Sequence, residues 1–188
     1  MDIKTDFSLD AKGLACPMPI VRTKKTMKDI EAGQVLEVLA TDQGSKADLA
    51  AWAKSAGHQF LGTIEEGDVL KHYVRKSSDE DSQEKKHPNV VSNDDLKEAL
   101  NHEDTLVLDV RESAEYAFEH IPGATSIPLG ELDERAGEVD ENKQVYVVCR
   151  TGNRSDMAAQ KLTEKGFKTV YNVVPGMSEW SFDTTSNQ

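Results

Sequence analysis

Two short segments carry residue types and spacings suited to chemistry: Cys149-Arg-Thr-Gly-Asn-Arg-Ser155 and Leu9-Asp-Ala-Lys-Gly-Leu-Ala-Cys-Pro-Met-Pro19. In the first, the cysteine directly follows the apolar run Val145-Tyr-Val-Val148 and precedes a helical stretch from about Ser155 to Lys165. A strand-loop-helix in which Gly152 can take positive φ turns its backbone N–H groups inward, and the helix adds its positive end. That is an anion nest with Cys149 at its base, the environment a sulfur nucleophile requires. Arg150 and Arg154 add positive charge for an anionic substrate, and Thr151, Gly152, Asn153 and Ser155 complete the loop that would hold it. In the second segment, prolines fit a first helical turn because its N–H groups lack intrahelical partners. Pro17 and Pro19 therefore start a helix, and Cys16 is expected at its N-cap, where the helix dipole favours a thiolate or persulfide.

A lone cysteine is ordinarily a small buried hydrophobe. Cys16 and Cys149 lie 133 positions apart, so they make no disulfide framework. Neither belongs to a Cys-x-x-Cys pair or stands among histidines at zinc-ligand spacing, and no metal or other cofactor is expected. Loop length separates the remaining chemistries. Cysteine-based phosphatases wrap a phosphoryl group with Cys-x5-Arg; Cys149-x4-Arg154 is one residue shorter and suits a smaller anion.

The elements that must position these cysteines form two groups. Ahead of residue 76, strands are expected around Phe7–Leu9 and over Val35–Ala40, Gln59–Ile64 and Val69–Arg75. One helix should run from near Pro17 to before Gly33, with Ile20, Met27 and Ile30 on one arc and Arg22, Lys24, Lys25 and Lys28 on another. A second should span about Lys46 to Ala56, turning Leu49, Trp52, Ala53 and Ala56 inward and stopping at Gly57. The order βαβαββ predicts a small two-layer α/β sandwich over residues 1–75. Residues 76–88, from Lys76 to Pro88, offer nothing suited to a core and are expected to be a linker, spanning about 20 Å if flexible. Residues 89–188 change character: Thr105-Leu-Val-Leu-Asp-Val110 and Val145–Val148 read as buried parallel strands with helices on both faces. Sites in such sheets lie beyond the carboxyl ends of the strands, where Cys149 stands.

Charge follows the same division. The formal net charge of -12 divides into -1 for residues 1–75, -1 for 76–88 and -10 for 89–188. So acidic a surface repels phosphate backbones, which argues against direct nucleic-acid binding and leaves open a role upstream of nucleic-acid modification. No apolar run approaches the roughly 18 residues of a membrane span, and Met1 to Asp10 is charged, so a cytoplasmic protein without membrane association is expected. The cationic arc of the first helix reads either as a solvated face or as a docking surface for an acidic partner.

With these residues in view, two resemblances emerge. The Cys149–Ser155 loop resembles that of rhodaneses, as do Asp109-Val-Arg111, Glu115 with Tyr116, His120-Ile-Pro-Gly-Ala124 and the ending Gly176-Met-Ser-Glu-Trp180. Pro175 stands where that ending often has a second glycine, and no loss of activity is expected from it. Asp109, Arg111 and His120 are expected to brace turns and strand ends. The Cys16-Pro-Met-Pro19 segment resembles the TusA/SirA-like sulfur carriers, with further matches at Thr41-Asp-Gln-Gly44, Asp48, Trp52 and Gly57-His58; Lys12 and Gln43 depart from that pattern.

The resemblances imply a two-domain sulfurtransferase whose only intermediate is a covalent cysteine persulfide. Cys149 would take sulfur from thiosulfate or a low-molecular-weight persulfide, and the sulfur would pass, by way of Cys16, to a thiol or protein acceptor. The competing expectation is a non-enzymatic protein that senses persulfide or redox state through two poised thiols. The absence of a resolving cysteine near either thiol weighs against it.

Overall fold

Val35-Leu-Glu-Val-Leu-Ala40 buries side chains on both faces, as only an interior strand does. In the computed structural model, which describes residues 3–77 and 84–187, this run is an inner strand of the first of two units. Strand β1 is Phe7–Asp10, β2 Val35–Ala40, β3 Gln59–Glu66 and β4 Val69–Arg75; helices α1, Met18–Met27, and α2, Ser45–Ala56, lie between them in sequence. The sheet order is β1-β2-β4-β3, with β1 parallel to β2 and the other pairs antiparallel. Met27, Ile30, Leu36, Val38, Leu49, Ala53 and Val74 form the core between sheet and helices. This is the expected βαβαββ sandwich.

Helix α1 ends earlier than its apolar periodicity suggested. The Lys76 ammonium reaches the carbonyls of Met27 and Ile30, giving the helix end a cation that complements its dipole. Gly57, at φ 80°, ends α2 in the left-handed conformation, and the His58 N–H returns to the Ala53 carbonyl at 2.8 Å. Ala56, expected inward, is exposed, because the helix face closes on Leu49 and Ala53 instead.

In the second unit the strands are β5, Val90–Ser92; β6, Thr105–Asp109; β7, Thr125–Ser126; β8, Gln144–Val148; and β9, Val170–Val174. The sheet is wholly parallel in the order β5-β9-β8-β6-β7. Helices α3 (Asn93–Ala99), α4 (Ser113–Phe118), α5 (Leu132–Arg135) and α6 (Asn153–Glu164) connect the strands. Alternate strand residues feed two cores: Leu108, Val145 and Val147 pack with Ala158 and Leu162, whereas Val107, Tyr146 and Val148 pack with Leu96 and Ile121. Both faces are therefore covered, as the apolar runs required.

The segment between the units is shorter than residues 76–88. Lys76 belongs to the first unit, where its N–H bonds the Gln34 carbonyl at 2.9 Å. At the other end His87 is buried; its ring bonds the Val170 carbonyl at 2.8 Å, and the His87 and Lys86 N–H groups donate to Asp156. Lys85 and the residues after it are thus a strap on the second unit. Composition misplaced them because the strap is held by backbone donors and one imidazole, not by hydrocarbon.

Candidate functional site

Cys149 follows the last residue of β8, and its side chain is only 1% exposed. Two contacts reach the sulfur, and a third holds one of its partners. The Gly152 N–H donates to Sγ at 3.1 Å, Ser155 Oγ lies 3.3 Å away, and the Ser155 hydroxyl donates to the Asn172 side-chain carbonyl. Asn172, fully buried in β9, returns its amide N–H to the Gly152 carbonyl at 3.1 Å. The loop can close this way because Gly152 takes φ 93°, in the region that favours glycine. An N–H aimed at Sγ from the start of α6 provides what an anionic sulfur needs.

The loop is also clamped from outside. Met177 N–H donates to the Cys149 carbonyl at 2.8 Å and Ser178 N–H to the Arg150 carbonyl at 2.9 Å. Gly176 lies so close that a Cβ there would stand 2.4 Å from the Cys149 carbonyl oxygen, and its own N–H and carbonyl are both held by the Asn93 side chain. The Val174–Pro175 peptide before it is cis.

The two loop arginines have different positions. Arg150 is exposed, where an incoming anion can meet it. Arg154 is buried and grips Glu115 of α4 with two bonds, at 2.7 and 3.1 Å. Its charge is matched by a buried carboxylate, which fits the ordering of the loop expected of Arg154 and leaves the positive charge also expected of it for an anionic substrate directed at Glu115. Thr151 and Asn153 are half-buried in the loop. Asp109, Arg111 and His120 brace the fold, as expected: Arg111 pairs with Asp109 at 2.7 Å and bonds the Glu119 carbonyl, while His120 stacks on Tyr116 with ring centroids 3.7 Å apart.

Sequence reasoning missed Asn172, Asn93 and the strap. Asn172 left a trace, a lone amide inside Val170-Tyr-Asn-Val-Val174, since a polar side chain in a central strand must find a partner. Lys85 left none. Its Cε lies 3.0 Å from where a Cβ on Gly152 would stand, so its stem packs against the Cys149–Ser155 loop at Gly152.

Cys16 departs further from expectation. The N-cap of α1 is Pro17, with no side-chain cap, and Cys16 precedes it. Its exposed thiol donates to Asp48 Oδ2 at 3.1 Å, in the first turn of α2. That hydrogen bond, with some burial and the charges of Asp48 and Asp42, raises the thiol above its ordinary pKa. The helix dipole expected to favour the thiolate is opposed here by a carboxylate in direct contact with the thiol. Among the described residues, no three His, Cys, Asp or Glu side chains gather as metal ligands.

A buried cysteine in a strand-loop-helix cradle and an exposed one in a Cys-Pro-x-Pro turn together define a sulfur-handling protein. The comparisons agree. Residues 7–76 match the family described as Sulfurtransferase TusA, and residues 92–183 match the Rhodanese-like domain. The chain is 51% identical to YrkF of Bacillus subtilis, named as a sulfur carrier protein, over 97% of this chain and 99% of that protein. Its first unit is 47% identical to the sulfur carrier protein TusA of Allochromatium vinosum, over 38% of this chain and 95% of that one. A rhodanese-like domain protein from Staphylococcus aureus has the fold of the second unit, with TM-score 0.50 and 27% identity over 53% of this chain and 99% of that one. The chain belongs to the family of sulfur carriers in which a TusA domain is fused to a rhodanese-like domain. No helix among the described residues is long and apolar enough to cross a membrane.

Proposed function

We propose that the chain is a sulfurtransferase that forms a persulfide on Cys149 and passes its sulfur, through Cys16, to a thiol or protein acceptor. The observation that carries this reading is the placement of Cys149 Sγ at the closed end of a loop, with the Gly152 N–H aimed at it at 3.1 Å. Thiosulfate or a low-molecular-weight persulfide is a donor of suitable size, and exposed Arg150 provides a cation for it. With thiosulfate, the Cys149 thiolate attacks the sulfane sulfur, an S–S bond forms, and the bond to the sulfonate sulfur breaks with its electron pair leaving on sulfite. The persulfide that remains is then attacked at its outer sulfur by the Cys16 thiolate, which restores the Cys149 thiolate. No external oxidant enters either step.

The N–H aimed at Cys149 Sγ, with no second cysteine in residues 89–188 to resolve an oxidised thiol, supports an enzyme over a redox sensor. The test is thiocyanate formation from thiosulfate and cyanide. Cys149→Ser should abolish it, whereas Cys16→Ser should largely retain it. Full turnover by the Cys149→Ser protein would contradict the assignment.

A further inference from the structure

Cys16 is exposed, yet its thiol is tied to a carboxylate. The Sγ–H donates to Asp48 Oδ2 at 3.1 Å. Asp42 is the other charge that acts on the thiol, so both are negative. The two aspartates lie around the same turn: a Cβ on Gly44 would stand 3.4 Å from Asp42 Oδ2 and 3.8 Å from Asp48 Oδ2. A sulfur acceptor would be expected to favour its nucleophilic thiolate, and this surrounding does the opposite.

We infer that Asp48 holds the proton on Cys16 and so selects a sulfur donor that carries a cation beside its outer sulfur. The inference rests on the reading of Cys16 as a sulfur carrier. Ionisation of Cys16 removes its hydrogen bond to Asp48 and leaves two anions in contact. A Lys, Arg or ammonium group of the donor that pairs with Asp48 removes both penalties at the moment of encounter. Donors with an anionic surround gain nothing and add repulsion. Asp48 does not keep the proton, since a carboxylic acid is a far stronger acid than a thiol.

The transfer balances without an oxidant. A bond forms between Cys16 Sγ and the donor's outer sulfur, and the donor's own S–S bond breaks. Its electron pair leaves on the donor thiolate, and the proton released from Cys16 ends on that thiolate. Once loaded, Cys16 Sγ carries no hydrogen for Asp48 to accept, and the carboxylate opposes the persulfide anion. The unloaded state is thereby favoured, which suits a residue that must hand its sulfur on.

The experiment uses the full chain carrying Cys149→Ser, so that Cys16 is the reacting thiol. Alkylation by iodoacetamide is followed across pH with Asp48, with Asp48→Asn and with Asp48→Glu. A lower pKa gives more thiolate but a somewhat weaker nucleophile, so Asp48→Asn should react several-fold faster at neutral pH, with its midpoint at lower pH. Asp48→Glu should keep the parent profile. An unchanged profile in Asp48→Asn would overturn proton holding. Loading is then measured by intact mass with the persulfides of cysteamine, a cation, and of mercaptopropionate, an anion. The cationic donor should load the Asp48 chain several-fold faster, roughly as expected for one favourable contact charge, and Asp48→Asn should bring the two rates together. The same ratio in both chains would overturn donor selection. Failure of both persulfides to load Cys16, with the alkylation shift present, would instead overturn the carrier reading and leave proton holding standing.

Discussion

At the scale of single residues, the two loop arginines separate binding from architecture. Arg150 is exposed beside the loop, so Arg150→Ala should raise KM for thiosulfate more than it lowers kcat, as removal of a binding contact does. Steady-state kinetics check this, and an unchanged KM would place Arg150 away from the donor. Arg154 and Glu115 instead form a buried pair. Breaking such a pair strands a charge in the interior and costs about 3–5 kcal/mol. Glu115→Ala should therefore shift the urea unfolding midpoint of the second unit strongly downward, and a shift below about 1 kcal/mol would show the pair to be of little weight. The sequence pointed to donor binding for Arg150 and to loop order and charge for Arg154, but nothing in the loop itself names Glu115, 39 positions earlier, as the partner that turns Arg154 inward.

Among the elements, those whose patterns are local were legible and those held by distant partners were not. The runs Val35–Ala40 and Val69–Arg75 coincide with β2 and β4 because burial of most residues in an inner strand writes itself into a run of apolar side chains. By contrast, α1 stops where Lys76 meets its last carbonyls, and Cys16 is set by Asp48, 32 positions away. His72 in β4 belongs to the same category. Ser45 gives its hydroxyl hydrogen to the Asp42 carbonyl at 2.6 Å, so it accepts from His72 Nε2–H at 2.8 Å; Thr63 then donates to Nδ1, also at 2.8 Å. The neutral ring is fully satisfied, and burial pushes its pKa from 6.5 down to about 4. Its folded-state value lies below the unfolded one, so the unfolded chain binds the extra proton. This contribution is present above pH 6.5 and is lost as pH falls toward about 4, amounting to at most about 3 kcal/mol. Denaturant titrations of the first unit over that window should show stability falling with pH, and less steeply in His72→Gln. Equal slopes would mean that the histidine titrates normally.

For the whole molecule, division into two sulfur-handling units was legible from the charge asymmetry and from one cysteine motif in each unit. Less legible was how differently the thiols are kept. Cys149 is buried and receives an N–H, while Cys16 is exposed and gives its hydrogen to a carboxylate. The first arrangement suits capture of a small anionic donor, the second a receiver that reacts on encounter. In the proposed relay, Cys149 captures the sulfur and Cys16 receives it on its way to the acceptor. Brief exposure to thiosulfate followed by acid quench and peptide mass spectrometry tests it most directly. Sulfur should appear first on the Cys149 peptide and then on the Cys16 peptide, and Cys149→Ser should leave Cys16 unloaded. Equally fast loading of Cys16 in wild type and in Cys149→Ser would contradict it and show that the two units act independently.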